Sequence, residues 1–412
     1  QPAVTQFPVE VHSTDNYWNY IDNDFSMARI QTTDPYDVHP ATQQLIGGVT
    51  TFMVSMVSAS TWTITVVDTA TVNALVSYST FVYIAPGTPA KLLAILPGEQ
   101  IEQGSPSGKT GTPDFWGTGV QPSTAGVNFP VTLYVTDGGF NRVVSHPPVS
   151  IQFLTPTDPY DSESNAWGVG GQLNPQGINN GMLTYNMHLV RAATGQYIRV
   201  EENTANGYSA SQTSTFTVVA NEPSTLIVTL PGEQQTNGKN VSPAGISSTT
   251  TPSPLSQMAG VCLSTHAYAY IVDSYFNWVT GLSGSTVAVA TNDSYDVDPG
   301  TFNIVNGRAV ITNTSACPIT ARGDAKVTVA HTLYGSRDSS QYMVTPSQAN
   351  RIHVLAEGES PTPGSSTGRS AAAPGDPGGQ AAGIVFPVTI RITDSYWNQV
   401  TQGSTTVKLT TT

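Results

Sequence analysis

The chain has 412 residues, 28 acidic and 15 basic, and only 10% are charged. With 17 Tyr, 12 Phe and 6 Trp, this low charge excludes a disordered chain, which would be highly charged and poor in aromatics. The net charge of −13 without a basic cluster excludes nucleic acid and anionic lipid as expected partners. No apolar run of about 18 residues is present that would predict a membrane-spanning helix.

A strand that ends in a five-residue turn occurs four times. Apolar and polar residues alternate before the turn, as at Val131, Leu133 and Val135, which is typical of a half-buried strand. The turn itself reads Asp-x-x-aromatic-Asn, and Asp and Asn side chains favour turns because they bond nearby backbone N–H groups. We name it the Asp–Asn turn and expect its aromatic to close the end of a sandwich. The four copies occupy residues 15–19, 137–141, 273–277 and 394–398.

The spacing of these turns defines the repeat. Steps of roughly 120–135 residues correspond to one whole domain. Many short alternating strands with frequent turn signals, and no amphipathic helix, predict an all-β chain of tandem β-sandwiches. The predicted boundaries are 1–87, 88–221, 222–348 and 349–412, named repeats 1 to 4 below.

Repeats 2 to 4 each open with a strand that ends in Gly-Glu, at Glu99, Glu233 and Glu359. A Gly/Ser/Pro-rich stretch of about 25–30 residues follows, longer than ordinary loops. Repeat 1 starts at its second strand and repeat 4 ends after three. We interpret the chain as a segment of a longer array; strand exchange between subunits is the alternative, because exposed sheet edges recruit strands.

Three acidic loops follow the third strand of repeats 1 to 3. They are weak candidates for Ca²⁺, which prefers carboxylate and carbonyl oxygens; solvated Asx turns are the default. We expect these loops to face the domain junctions, and no other cofactor is expected. The candidate ligands are Asp34, Asp37, Asp158, Asp161, Asp293 and Asp296, with Asp298 nearby.

The two cysteines, Cys262 and Cys317, both lie in repeat 3. A pair within one repeat predicts a disulfide across the sandwich in an oxidising compartment; two buried free thiols are the alternative. No further Cys or His stands at the spacing of a metal site.

Signals of an enzyme are weak. Residues 104–110 have three residues between their glycines where a phosphate loop needs four, and no helix follows. Residues 364–368 match Gly-x-Ser-x-Gly without the strand–turn–helix context of a nucleophile elbow. We therefore expect no catalytic residue. Sequons at Asn240, Asn292 and Asn313 are possible glycosylation sites.

The apolar strand, the Asp–Asn turn and the acidic loop resemble tandem bacterial immunoglobulin-like repeats of the invasin and intimin type. The Gly-Glu strand followed by residues 108–113 looks like a variant from giant surface or filament-forming proteins. The resemblance implies immunoglobulin-like sandwiches outside the cell or on its surface. Repeat 3 departs from the pattern, with Ala267 and Ala269 in place of larger apolar residues.

Two functions follow as hypotheses. The first is a non-enzymatic extracellular stalk, or a filament subunit whose partners are copies of itself. The second is an adhesin, or a carbohydrate-binding region of a larger secreted protein, that grips surface glycans with exposed aromatics. Aromatics buried at domain junctions would favour the stalk. The candidate aromatics are Tyr36, Trp116, Tyr160 and Trp167.

Overall fold

The computed structural model describes residues 1–70, 74–161, 176–312, 314–371, 378–402 and 404–410. Over these ranges every regular element is a β-strand, as predicted. The chain divides into two compact units, residues 1–219 and 220–412. The finer division into four repeats stays a prediction, and the repeat names are kept to refer to the sequence.

Repeat 1, in the first unit, is a sandwich of two sheets. One sheet pairs β1 with β4, and the other has the order β3-β2-β5-β6. No strand pairs with the second edge of β1 among the described residues. The strands are β1 (Gln6–His12), β2 (Met27–Thr32), β3 (Gln43–Gln44), β4 (Val49–Ser55), β5 (Thr61–Asp68) and β6 (Tyr78–Tyr83).

Repeat 2 adds the opening strand, β7, which pairs with β11 in the sheet β14-β11-β7. Its other sheets are β13-β12-β16-β17, β10-β18-β15 and the hairpin β8-β9. The strands are β7 (Lys91–Ile95), β8 (Glu99–Ile101), β9 (Lys109–Gly111), β10 (Ser123–Thr124), β11 (Phe129–Thr136), β12 (Ser150–Leu154), β13 (Gln176–Gly177), β14 (Met182–Met187), β15 (Ala193–Gln196), β16 (Arg199–Glu202), β17 (Ser211–Gln212) and β18 (Phe216–Val219).

Repeat 3, in the second unit, repeats this plan. A seven-stranded sheet runs β19-β23-β26-β25-β24-β28-β29, beside the sheet β22-β30-β27 and the hairpin β20-β21. The strands are β19 (Thr225–Thr229), β20 (Glu233–Gln235), β21 (Ile246–Ser248), β22 (Gln257–Met258), β23 (Ala267–Val272), β24 (Thr286–Thr291), β25 (Gly300–Val305), β26 (Arg308–Ile311), β27 (Arg322–Ala325), β28 (Val327–His331), β29 (Gly335–Asp338) and β30 (Tyr342–Thr345).

Repeat 4 has its opening strand paired with the strand before the Asp–Asn turn, and a hairpin beside them. The strands are β31 (Arg351–Leu355), β32 (Glu359–Pro361), β33 (Arg369–Ala371) and β34 (Thr389–Thr393).

The cores lie between the sheets, where the inward residues of alternating strands meet. In repeat 1, Phe7 and Phe52 from one sheet join Ile30 and Ile64 from the other in a single buried cluster. Each such side chain contributes about 1.5–3 kcal/mol when fully removed from water. The period-two pattern of the strands therefore determines which face is buried.

A hairpin covers the outer face of each opening strand. In repeat 3, Ile227 on β19 and Ile246 on β21 form a second cluster with Tyr270 and Val272, separate from the sandwich core. The Gly/Ser/Pro-rich stretch, expected to be irregular, thus begins as an ordered hairpin. In repeats 2 to 4 the turn before the hairpin is closed by the glutamate of the Gly-Glu pair, whose Oε2 accepts a backbone N–H. These bonds run from Leu96 to Glu99, from Leu230 to Glu233 and from Ala356 to Glu359, each at 2.9 Å.

Cys262 and Cys317 form the predicted disulfide. Cys262 precedes β23 and Cys317 follows β26, and these two strands are neighbours in one sheet. Beside the bridge, the Leu263 N–H donates to the Ala316 carbonyl at 3.1 Å. The bridge therefore joins adjacent segments alongside one sheet, and the expectation that it crosses between the two sheets was wrong.

Removing this disulfide by the double substitution Cys262→Ala and Cys317→Ala should lower the free energy of unfolding by about 2–4 kcal/mol, because it closes a long loop in the unfolded chain. Urea denaturation with and without reductant measures the effect. Reductant should destabilise the wild type and leave the double variant unchanged. Identical midpoints for the wild type in both conditions would contradict this prediction.

Candidate functional site: the junction between repeats

The Asp–Asn turn has the same internal hydrogen bonds in all four copies. In repeat 2, Asp137 Oδ1 accepts the N–H groups of Gly139 and Asn141, and Asn141 Nδ2 donates to Asp137 Oδ2, each at 2.9 Å. The other three copies repeat these bonds at 2.8–2.9 Å. The turn is therefore built by its own two polar side chains.

The aromatic residue of the turn has a left-handed backbone, which is unusual for a bulky side chain. Its φ is 67° at Trp18, 59° at Phe140, 64° at Phe276 and 66° at Trp397. A backbone N–H to the aspartate carbonyl, such as Phe140 to Asp137 at 3.2 Å, helps to hold this conformation.

The sequence predicted that this aromatic closes the end of the sandwich, and that prediction was wrong. The aromatic packs under the hairpin, on glycines that no larger residue can replace: an added Cβ would lie 2.5 Å from Phe140 at Gly108 and 2.4 Å from Trp397 at Gly368. A cation lies on the ring as well, with Lys91 Nζ 4.1 Å from the Phe140 centroid. Glycine in the hairpin is thus required for the close approach.

The acidic loop organises the loop that will contact the next repeat. Asp34 Oδ2 accepts the N–H groups of Val57 and Ser58 at 2.8 and 2.9 Å, and its Oδ1 accepts the Ser58 hydroxyl at 2.8 Å. In repeat 3, Asp293 binds Ile319 and Thr320 in the same way, at 2.6–2.9 Å. We name residues 57–59 and 319–321 the clamped loops.

Burial raises the pKa of the Asp293 carboxyl, but the hydrogen bonds from Thr320, Ile319 and Tyr295 outweigh it and hold the pKa below its ordinary value. The carboxylate is therefore ionised at neutral pH, as its four donors require.

The asparagine of the turn clamps the preceding repeat. Asn141 Nδ2 donates to the Val57 carbonyl at 2.8 Å, and Asn141 Oδ1 accepts the Ala59 N–H at 2.7 Å. In the second unit, Asn398 makes the same pair of bonds to Ile319 and Ala321, at 2.8 and 2.7 Å. One amide thus satisfies a donor and an acceptor of the neighbouring backbone, which fixes its position in two directions.

The aspartate of the turn binds the last residues of the preceding repeat, which we name the linker. Asp137 Oδ2 accepts the Gly87 N–H at 2.7 Å, and Asp394 Oδ2 accepts the Ser347 N–H at 2.9 Å. Both aspartates and both asparagines of these two turns are at most 1% exposed. The junction therefore encloses a polar network in which the turn, the linker and the clamped loop depend on one another.

The hairpin completes the junction. Gly104 lies against Ser58 and the ring of Tyr36, and Gly364 lies against Thr320 and the ring of Tyr295; an added Cβ would come within 3.0 Å of all four side chains. The Ser58 hydroxyl also contacts the Gln103 carbonyl at 3.2 Å. The acidic loops of repeats 1 and 3 therefore lie at the contacts with the next repeat, as the sequence predicted, and for the loop of repeat 2 this position stays a prediction.

Repeat 1 shows the same turn without a preceding repeat in the structure. Asp15 and Asn19 keep their mutual hydrogen bonds although both are exposed. The side-chain bond from Asn19, with the backbone bonds of Asn19 and Tyr17, lowers the pKa of Asp15. Trp18 is 69% exposed. The hydrogen bonds within the turn are therefore present without a clamped loop against it.

The calcium candidates are held by protein donors. Asp158 accepts the N–H groups of Val190 and Arg191 at 2.7 Å, as Asp34 and Asp293 do with their loops. The second aspartates accept a threonine hydroxyl: Asp37 from Thr32, Asp161 from Thr155 and Asp296 from Thr291. Within the ranges that the structure describes, no group of three His, Cys, Asp or Glu is arranged to hold a metal. Calcium binding stays a prediction.

Asp296 differs from its counterparts because its Oδ1 is buried without a hydrogen-bond partner. Burial raises the pKa of Asp296 to about 6, and the nearby charges of Asp293 and Asp298 add to the increase, while the Thr291 hydroxyl opposes it. This carboxyl is therefore the acid-sensitive group of the repeat 3 loop.

The remaining candidates are scattered. Asn240 is exposed, whereas Asn292 Nδ2 donates to the Asp324 carbonyl at 2.9 Å and its Oδ1 accepts the Lys326 N–H at 2.9 Å.

Trp116 is 55% exposed, with its Nε1 bonded to the Pro122 carbonyl at 2.9 Å. Tyr160 is half-buried. Asn313 and Trp167 lie outside the described residues.

No pattern in the sequence predicts the clamped loops. Because the asparagine binds the backbone of these loops, their side chains carry little signal of the contact. The one shared signal is a hydroxyl residue followed by alanine, Ser58-Ala59 and Thr320-Ala321.

Comparison with known proteins shows no family for this chain. No family model and no curated protein matches the sequence. The structure is similar to invasin, a bacterial integrin-binding protein, at 13% identity and a TM-score of 0.22, over 86% of this chain and 60% of that one. It is also similar to domains 4–9 of surface layer protein SbsC (14% identity, TM-score 0.18, 83% and 43%) and to Sidekick-1 immunoglobulin domains 1–4 (9%, 0.17, 88% and 74%).

The chain spans less than two thirds of the invasin and SbsC chains. The described residues include no helix that is long and apolar enough to cross a membrane.

Asn141→Ala should lower the free energy of unfolding by about 2–4 kcal/mol, because two part-buried backbone groups lose their partners. Asn19→Ala is the matched control: it removes the same bond within the turn but no contact between repeats, and should cost about 1 kcal/mol or less. Urea denaturation of the full chain compares the two. Equal losses would show that the amide matters only within its turn.

Asp296→Asn should stabilise the protein at pH 7 by about 1 kcal/mol, allowing for solvent screening of this half-buried group. A carboxyl with a raised pKa binds its proton more tightly in the folded state, so the free energy of unfolding falls as the pH rises from about 4 to about 6. The variant should lose this slope. Denaturation midpoints across that range test it, and parallel curves for wild type and variant would contradict it.

Proposed function

We propose that the chain is a non-enzymatic, extracellular structural protein whose β-sandwich repeats stack through fixed junctions into a stalk or a filament. The observation that carries this proposal is the buried asparagine clamp, which occurs with the same partners and distances in both units. A flexible string of domains has no need of buried polar bonds between neighbours, whereas a load-bearing array does.

The aromatics support the stalk over a glycan-binding surface. Tyr36, one of the candidate binding platforms, packs on Gly104, and its counterpart Tyr295 packs on Gly364 although it is 45% exposed. A hydrogen bond to Glu102, which follows the opening strand of repeat 2, raises the pKa of the Tyr36 hydroxyl. These rings contribute to the contact between domains.

The extracellular location rests on covalent chemistry and composition. The Cys262–Cys317 disulfide is typical of a protein from an oxidising compartment. The low content of charged residues and the many Thr and Ser suit an exported protein.

The second candidate is an adhesin or carbohydrate-binding region. It is favoured by Trp116, whose indole is fixed by its bond to Pro122 while more than half of the side chain is exposed. A fixed, exposed aromatic face is the element that stacks on a sugar ring. A glycan array probed with the wild type and with Trp116→Ala tests this candidate.

Negative-stain electron microscopy of the native secreted material tests the leading proposal. Stiff rods, or continuous fibres with an axial repeat, are the expected result, and fibres would identify copies of the chain as the partner. The combined variant Asn141→Ala, Asn398→Ala should give bent particles with variable angles. Wild-type particles that look like freely jointed beads would contradict the proposal.

A further inference from the structure

One position near the start of each sandwich changes size between repeats. Ala3, Ala125 and Ala259 occupy equivalent sites, because each donates its N–H to the end of its own repeat's last strand, at 2.8–2.9 Å. The residue after each alanine donates its N–H to the carbonyl of the residue that directly precedes the loop bound by the acidic-loop aspartate. These bonds join Val4 to Met56, Gly126 to Leu189 and Gly260 to Pro318, each at 2.8 Å. Repeat 1 thus has a valine where repeats 2 and 3 have glycine.

The valine is in an unfavourable conformation. Val4 has a φ of 60°, close to the 73° and 76° of Gly126 and Gly260. A β-branched residue with a left-handed backbone is a genuine outlier, and such strain persists where the surroundings require it. The reason for a valine here should therefore lie in what it contacts.

Val4 faces the third residue of the next Asp–Asn turn. That residue is Gly139, which is buried, and a Cβ added to it would lie 3.1 Å from Val4 Cγ2, Val57 Cγ1 and the Val57 carbonyl oxygen. Val4 thus occupies, together with Val57, the space that a side chain at position 139 would need.

The second unit has the reverse arrangement. The third residue of its turn is Tyr396, whose ring packs on the repeat 3 core and lies over Gly260. A Cβ at Gly260 would come 2.2–2.5 Å from three atoms of this ring. The small residue is here in the preceding repeat and the large one in the turn.

We propose that these two pairs, Val4 with Gly139 and Gly260 with Tyr396, are a size code that determines which repeat can stack on which. A repeat with valine at the position of Val4 accepts only a turn whose third residue is glycine, because a tyrosine there would clash with the valine. A repeat with glycine accepts the tyrosine turn and leaves a gap beside a glycine turn. The asparagine clamp holds any correct pair, and the size code rejects the wrong one.

This inference rests on the proposed function, since a code for stacking has meaning only if the repeats stack. It assigns to Val4 and Gly260 the role of specificity determinants, and it explains why a strained valine is retained where glycine would be relaxed.

The test uses the full chain with nitroxide labels on cysteines introduced by Thr51→Cys in repeat 1 and Asn186→Cys in repeat 2, both exposed strand positions. Pulsed electron paramagnetic resonance measures the distance distribution between them, and circular dichroism monitors folding. Gly139→Tyr should abolish the single narrow distance peak, and adding Val4→Gly should restore it. Gly138→Tyr is the matched control, because a Cβ at Gly138 meets nothing within 4 Å, and it should keep the narrow peak.

Each outcome decides something. A narrow peak in Gly139→Tyr, or no recovery in the double variant, overturns the size code while leaving the stacked junction intact. A broad distribution in the wild type overturns the proposed function and the code with it. If Gly139→Tyr fails to fold, recovery of both fold and narrow peak in the Val4→Gly, Gly139→Tyr variant supports the code, and failure of the double variant to fold overturns it.

Discussion

The buried aspartate–asparagine pair is the constraint on which the rest of this structure depends. A carboxylate in a closed interface is costly unless each oxygen has donors, and Asp137 has donors from two segments of the chain. Asp137 takes them from its own turn, from Asn141 and from Gly87 in the linker. Asn141 in turn has its remaining donor and acceptor on the preceding repeat. Two repeats that move apart lose several of these bonds together. Each polar group left buried without a partner costs about 1–3 kcal/mol. The junction therefore behaves as one cooperative element.

Several unusual features of the sequence follow from this network. The aromatic of the turn accepts a left-handed backbone, since the aspartate must reach back over it to the asparagine. The hairpin needs glycine at Gly108 and Gly368 to cover that aromatic, and at Gly104 and Gly364 to pass over the clamped loop. The Gly/Ser/Pro-rich character of the stretch after each opening strand is thus explained by close packing at the junction.

The sequence predicted much of this from local pattern. Alternation at Val131, Leu133 and Val135 located the strand before the turn, Asp and Asn located the turn, and two cysteines in one repeat predicted the disulfide. The acidic loops were expected at the junctions, and those of repeats 1 and 3 lie there. Local pattern failed where a long-range partner decides the structure. Val57 and Ala59 are recognised through their backbone by a residue more than 80 positions away. The aromatic of the turn was assigned to the wrong surface, since the hairpin that covers it is formed by a low-complexity stretch. The size relation between Val4 and Gly139 is visible only once the two are side by side.

The most direct test of the central claim is amide hydrogen exchange at Ala59 and Ala321 in the full chain, measured by nuclear magnetic resonance. Both residues lie in loops, where exchange is ordinarily fast. We expect slow exchange, because each N–H donates to an asparagine of the next repeat at 2.7 Å, and we expect fast exchange at Ala59 alone in Asn141→Ala. Exchange at both positions as fast as in an open loop would show that the junction is not closed in solution, and would contradict the account.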